Sequence, residues 1–363
     1  MTSHDERRRL FLGRLLAGAG VLLVGGGLKG LAVAGKGATH ALPPAPSETP
    51  SHVPAAALHG RSLVYEIWNT SLRDESGKPV DVAIEGSVLL AGQALGGEQL
   101  PFDGFENLFP DSAPATVVVD ARHGGPFGRL IALRLASVFV EMGSDPAKVH
   151  VIDDSDEEMK SAGYGISREG TGPFVHGTRP RPGYMEPMAI AGSSLRISRA
   201  TAEAKVLGVV ASLSDTAVIG QPASGAPRLG PFVIDAALRL FDDGSREKML
   251  KDPELGAKAL AAEQVGGRIG MILGDLFEID LAAKGESPGK GAPDNVSSRW
   301  RADEFLAGTN LFAVESVAHR IVSNARQARG LSALDPHSIL AAARKLGLSG
   351  AGWETIDWRK AAA

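Results

Sequence analysis

The chain has 363 residues, 44% of them hydrophobic, and a formal net charge of −4. That apolar content excludes disorder for most of the length, and the slightly acidic balance argues against a nucleic-acid partner. With no cysteine at all, disulfides, thiolate metal sites, Cys nucleophiles and an iron–sulfur cluster held by this chain are excluded.

The N-terminal segment reads as an address. Arg8-Arg9, one residue, then Phe11-Leu12 resembles the twin-arginine export signal. Residues 15–28 are uncharged and rich in Leu, Val, Ala and Gly. As a helix this stretch is roughly 21 Å long, too short for a hydrocarbon core of about 30 Å. Ala32-Val33-Ala34 and Thr39-His40-Ala41 both offer small-residue exits. A charged start, a short apolar middle and such an exit are the parts of an export signal. The other reading is a retained anchor, with Arg14 and Lys29 snorkelling. Removing 1–34, with five basic and two acidic residues, moves the charge to about −7. The expected partner is the twin-arginine translocase, the expected location is the periplasm, and the membrane is touched only through an uncleaved signal.

The expected organisation is an export signal over 1–41, a Pro/Ala/Ser linker over 42–57, and a single α/β domain over 58–363. Leu63–Asn69 is a short apolar run that opens the domain. Over Asp81–Ala94 the apolar spacing is mixed, so helix and strand stay open. Phe105–Phe109 precedes Pro110, which ends any helix before it. Thr116–Val119 is a β-branched run of the kind that strands buried on both faces require. Asp120–Gly128 reads as a glycine-rich loop, Leu130–Met142 as a helix with Gly143 at its C-terminal cap, and Lys148–Asp153 as a second strand. Together they make a βαβ unit.

Further on, Ile166–Pro187 reads as a loop and Lys205–Leu213 as an apolar run. Gln221–Pro227 is turn-rich, Phe232–Phe241 a helix, and Lys248–Gln264 a polar surface helix. Arg268–Ile279 reads as a strand, Gly285–Asn295 as a loop and Leu311–Ala328 as an amphipathic helix. Pro336–Leu346 is a last helix, started by Asp335 and capped by Gly347. The fold class is therefore α/β, a mixed, largely parallel sheet sandwiched by helices.

The segment order resembles the bacterial domain-of-unknown-function family 362, in its twin-arginine-exported branch. The likeness is carried by Val149–Ile166, Leu306–Ser316, Ala328–Leu331 and Ala341–Leu348, and it spans roughly 58–358. It implies a mixed α/β sandwich. The family's polar positions are largely replaced: Val119-Asp120-Ala121-Arg122 has no Lys, Gln221–Pro227 has neither Lys nor His, and Asn310-Leu311 and Glu315 stand for the late Asp-Pro and Asp. No reaction transfers, because the family's own activity is uncharacterised.

The expected ligand site lies after the two strong strands, since open α/β sheets bind at the carboxyl ends of their strands. Gly124 and Gly125 allow close backbone approach beside Asp120, and Arg122, His123 and Arg129 offer charge for an anion. Asp153 and Asp154 open the acidic run that ends at Glu158. That run offers oxygen ligands but lacks the EF-hand glycine and terminal Glu, so a helix N-terminal role is expected and no metal. Arg179 and Arg181 read as a loop or as a pocket rim. His123, His150, His176 and His319 show no metal-ligand spacing, and Ser193, Ser194 and Ser212 lack a nucleophile context. The expected role is a non-catalytic member binding a small anionic ligand or a protein partner, the alternative an enzyme acting on an anionic substrate. No cofactor is identified.

Overall fold

The structure, a computed structural model, describes residues 61–362 apart from 70, 75, 110–111, 180–182, 214–217, 220–226, 277 and 283–298. The signal, the linker, Arg181 and most of the Gln221–Pro227 loop lie outside the described residues.

The chain enters through β1 (Ser62–Trp68), then two helices, α1 (Asp81–Gly96) and α2 (Pro101–Leu108). The open choice over Asp81–Ala94 resolves as helix: α1 is long enough to bury Ile84, Val88, Leu89 and Leu95 on one side. Its C-terminal glycine, Gly97, takes the left-handed conformation that ends it. Next come β2 (Ala115–Val119), α3 (Ala121–Glu141), β3 (Val149–Asp153), α4 (Asp156–Ser161) and β4 (Phe174–Gly177). A hairpin of β5 (Met188–Ile190) and β6 (Ser193–Leu195) precedes α5 (Arg199–Glu203) and β7 (Val206–Ser212). Then follow β8 (Val218–Ile219), β9 (Arg228–Leu229), α6 (Val233–Leu238), α7 (Asp243–Lys251) and α8 (Pro253–Ala261). The last part holds β10 (Ile269–Asp275), β11 (Glu278–Asp280), β12 (Arg299–Arg301), β13 (Glu304–Gly308), α9 (Leu311–Gln327), α10 (Ser338–Lys345) and β14 (Ile356–Ala362).

Eight strands form one sheet in the order β14-β1-β13-β10-β7-β2-β3-β4. The five from β10 to β4 run parallel, while β13 is antiparallel to β10 and to β1. The two strands on which the expected site depends are neighbours, with Val117 opposite Val151 and Val118 opposite Ile152. Every residue of β2 and β7 is buried, as continuous apolar runs demand when helices cover both faces. Alternation divides the strand between two cores. Val117 and Val119 pack with α1, α2 and α3 on one face, and Val118 packs with α6, α8, α9 and α10 on the other.

Several boundaries differ from the sequence reading, each for a local reason. Lys248–Gln264 is not one surface helix. Asp252 ends α7 and caps α8 by accepting the Leu255 N–H at 3.1 Å, with Pro253 at the first helical position. The pair buries Met249, Ala257, Ala259 and Leu260. The segment read as a loop over Ile166–Pro187 contains β4, a short edge strand. Asp335 does not start α10; His337 does, its Nδ1 accepting the Ile339 N–H at 3.2 Å. The glycine-rich stretch after β2 is not a loop but the first turn of α3. Gly125 alone breaks the helix, at φ 53° and ψ −166°, and Pro126 restarts it.

The crossing of α1 and α2 is set by missing side chains. A Cβ on Gly96 would lie 2.2 Å from the Gly104 carbonyl oxygen, and one on Gly92 would lie 2.3 Å from the Phe105 ring. Gly96→Ala is therefore expected to destabilise by about 1–3 kcal/mol through overpacking, although helix propensity alone favours Ala by about 1 kcal/mol. Urea unfolding of the two proteins reads the sign directly; a more stable variant refutes the close crossing.

Candidate functional site

Because β2, β3 and β4 are parallel, their carboxyl ends open on one edge of the sheet. Asp120 directly follows β2, Asp153 ends β3 and Asp154 follows it. All three are buried, at 3%, 0% and 1% exposure. Such burial is tolerable only with partners, and the chain supplies them. Asp153 Oδ2 accepts the Ala121 N–H at 2.9 Å, tying the start of α3 to β3. Its Oδ1 accepts the Asp154 N–H at 2.6 Å. Ser155, not an aspartate, caps α4 by accepting the Glu158 N–H at 3.1 Å. Asp156, Glu157 and Glu158 fill that helix's first turn, where the N-terminal end favours negative charge.

The cations come from further along the chain. Arg239, just past α6, meets Asp154 Oδ2 through Nη1 and Asp120 Oδ1 through Nη2 at 3.3 Å. The same Nη1 stands 3.8 Å from Asp153 Oδ1 and 3.6 Å from Glu158 Oε2. Arg246 of α7 donates to Asp154 Oδ2 at 2.6 Å and also binds Asp243. Arg179, after β4, donates to Asp243 at 2.8 Å. Arg122 in the first turn of α3 pairs with Glu158. His123 Nδ1 lies 2.9 Å from Asp120 Oδ2.

These groups line a crevice of about 560 Å³ whose apolar wall is Pro231, Leu238 and Leu250. The electrostatics differ from one aspartate to the next. Burial works to raise Asp120, but the His123 hydrogen bond and the Arg239 charge hold its carboxyl below the usual range. Burial pushes Asp153 up to about 7, with Arg239 opposing and Asp154 adding to the rise. Burial likewise works against the charged form of Arg239, yet Asp120, Asp153 and Asp154 hold its guanidinium firmly protonated.

Of the residues expected from the sequence, the structure brings Asp120, Arg122, His123 and Asp154 to the crevice wall, with Asp153 directly behind them. Gly124 and Gly125 shape the start of α3 and do not line the crevice. Arg179 takes the rim position. His176 lies elsewhere, on the edge strand, with His150 Nδ1 3.0 Å from its Nε2. Thr309 and Asn310 sit at the opposite edge of the sheet, because β13 runs antiparallel to β10. Arg239, Asp243 and Arg246 were not foreseen. Their segments carry only ordinary helix-end charges, and no local pattern relates them to partners 64 to 119 positions away.

Among the described residues, no helix is long and apolar enough to cross a membrane. Set against family models, curated proteins and solved structures, the chain matches none of them.

Proposed function

We propose that the crevice at the carboxyl edge of β2 and β3 binds a small anionic ligand, in a protein exported to the periplasm through its twin-arginine-like N-terminus. The observation that carries the binding reading is the convergence of Arg122, Arg179, Arg239 and Arg246 on one hollow from four separate stretches of chain. Arg239 and Arg246 are inner cations, held by Asp154. Arg122 and Arg179 are outer ones, their side chains 62% and 50% exposed. A guanidinium carries five N–H donors in a planar fork suited to phosphate or carboxylate. Asp243 and Glu158, the carboxylates on the outer pair, are themselves partly exposed. A ligand oxyanion can therefore replace them at small cost.

The resemblance to domain-of-unknown-function family 362, with its polar positions replaced, supports a divergent, non-catalytic relative. A second reading, proton transfer on an anionic substrate, has one observation in its favour. Asp120 holds the His123 imidazole by Nδ1, an arrangement that fixes the ring and leaves Nε2 as the working nitrogen.

Calorimetric titration of inorganic phosphate, inorganic pyrophosphate and succinate into the full chain, in EDTA and at low salt, tests the first reading. Saturable binding of at least one anion is expected, about tenfold weaker in Arg179→Gln and in Arg122→Gln, and weaker still as salt rises. No saturable heat from any of the three overturns it. Turnover of a bound anion that His123→Ala abolishes transfers the assignment to the second reading.

A further inference from the structure

We propose that Asp153, Asp154 and Glu158 form a divalent-cation site on the inner wall of the crevice, taking a hard ion such as Ca²⁺ or Mn²⁺ through carboxylate oxygens. One oxygen from each residue lies within 4.8 Å of the other two. Oxygen ligands of Ca²⁺ stand about 2.3–2.6 Å from the ion, so opposed ligands are about 5 Å apart. Oxygens of the same three residues now stand within 3.8 Å of Arg239 Nη1, so an ion takes their shared space as that guanidinium turns toward Asp120.

A second observation is independent of that clustering. Asp154 is 99% buried, being 1% exposed, and its Oδ1 has no hydrogen-bond partner among the described residues. Its other oxygen is crowded instead: Arg239 and Arg246 both meet Oδ2, and Arg179 approaches it at 3.8 Å. Glu158 Oε2 is likewise without a hydrogen bond. A buried carboxylate oxygen left unpaired is costly, and a ligand that pairs it is correspondingly favoured.

Arg239 does not meet this demand. Its Nη1 carries two protons, and three carboxylates lie within 3.8 Å of it. A compact dication offers six or more coordination directions where the amide-like nitrogen offers two. Asp154 then bridges, with Oδ2 kept on Arg246 and Oδ1 on the ion. The donors are stiff. Backbone N–H groups hold both oxygens of Asp153, and the Ser155 cap fixes the backbone of Glu158. The remaining coordination positions open toward the crevice, where water or an oxygen of the anionic ligand completes the shell. That last coupling rests on the anion reading above; the cation site itself does not.

Electron paramagnetic resonance of Mn²⁺ titrated into the full chain, without added anion, counts the bound ion. One Mn²⁺ per chain is expected, at a concentration below about 1 mM. Asp154→Asn and Glu158→Gln should each weaken uptake about tenfold or more. Glu254→Gln, an exposed carboxylate paired with Lys345, should match the parent. Circular dichroism checks the fold of Asp154→Asn; should that variant unfold, Glu158→Gln on the crevice wall decides alone. No saturable uptake, or uptake unchanged in the folded crevice variants, overturns the site. Phosphate titrations with Mn²⁺ and with EDTA separate the two readings. Phosphate binding in EDTA with no Mn²⁺ uptake overturns the cation site and keeps the anion reading. Mn²⁺ uptake with no anion binding supports the cation site and overturns the other. Tighter phosphate binding with Mn²⁺ supports both and their coupling.

Discussion

Arg239→Met is expected to lower the unfolding free energy by about 3–5 kcal/mol, the cost of stranding buried charges whose partner is removed. Among the described residues, no other side chain spans the same partners. Arg239 joins Asp120, just after β2, to Asp154, just after β3, while standing 3.8 Å from Asp153. Arg239→Lys should recover only part of the loss, since an ammonium is a point donor and cannot reach Asp120 and Asp154 with two nitrogens. The deficit should also depend on pH. Without the guanidinium the pKa of Asp153, already about 7 through burial, rises further, and that of Asp120, which Arg239 helps to hold down, rises with it. In the variant these carboxyls are protonated on folding, so its stability falls relative to the parent as pH rises from 5 to 8. Urea unfolding at three pH values measures all of this. A loss below about 1 kcal/mol at pH 8 would show that solvent, not Arg239, balances the cluster.

Glu315→Gln should change the pH dependence of stability strongly. Glu315 is fully buried in the second turn of α9, where its Oε2 accepts the Ile234 N–H at 3.2 Å. Burial, with Asp235 adding, pushes its carboxyl up to about 8, while the Val233 and Ile234 N–H groups oppose the rise. The folded chain thus holds a proton that the unfolded chain releases near pH 4.5. This contribution is fully present below the unfolded value and is lost as pH climbs through 8, at most about 1.4 kcal/mol per pH unit. Glutamine keeps the acceptor and never ionises. Relative to the parent, the variant should gain about 4 kcal/mol between pH 5 and pH 9. The buried His150, His176, His319 and His337, all lowered by burial, titrate alike in both proteins and cancel in the difference. Parallel stability curves would mean that Glu315 is ionised throughout.

The sheet was legible because its signal is local. Val117-Val118-Val119 and Val149–Ile152 are runs that only a strand covered on both faces accommodates, and they are adjacent in the structure. Helix α9 was legible by period, with Val314, Val317, Ala318, Ile321 and Val322 all buried. Shorter or polar elements were less so. The four residues of β4 have no period long enough to read. The break between α7 and α8 depends on Asp252 serving both ends, which a run of mixed charge and alanine conceals. Gly124-Gly125 suggested a loop, yet the Asp153 carboxylate meets the first turn of α3 at Ala121 N–H, a contact across 32 residues.

On its own, the order of residues determined an α/β chain with a parallel core, and which acidic and basic side chains follow its two strongest strands. Periodicity and β-branching suffice for that, because they act between near neighbours. Which charges meet was decided only by packing. Asp120, Asp154 and Glu158 have several arginines and lysines within reach in sequence, but α6 and α7 lie over the carboxyl edge of the sheet and bring Arg239 and Arg246 there from a distance of 81 to 119 residues. An ion pair of that span leaves no trace in local spacing, since the free energy that forms it comes from burying Val233, Ile234, Ala237 and Leu238 against the sheet rather than from the charges themselves.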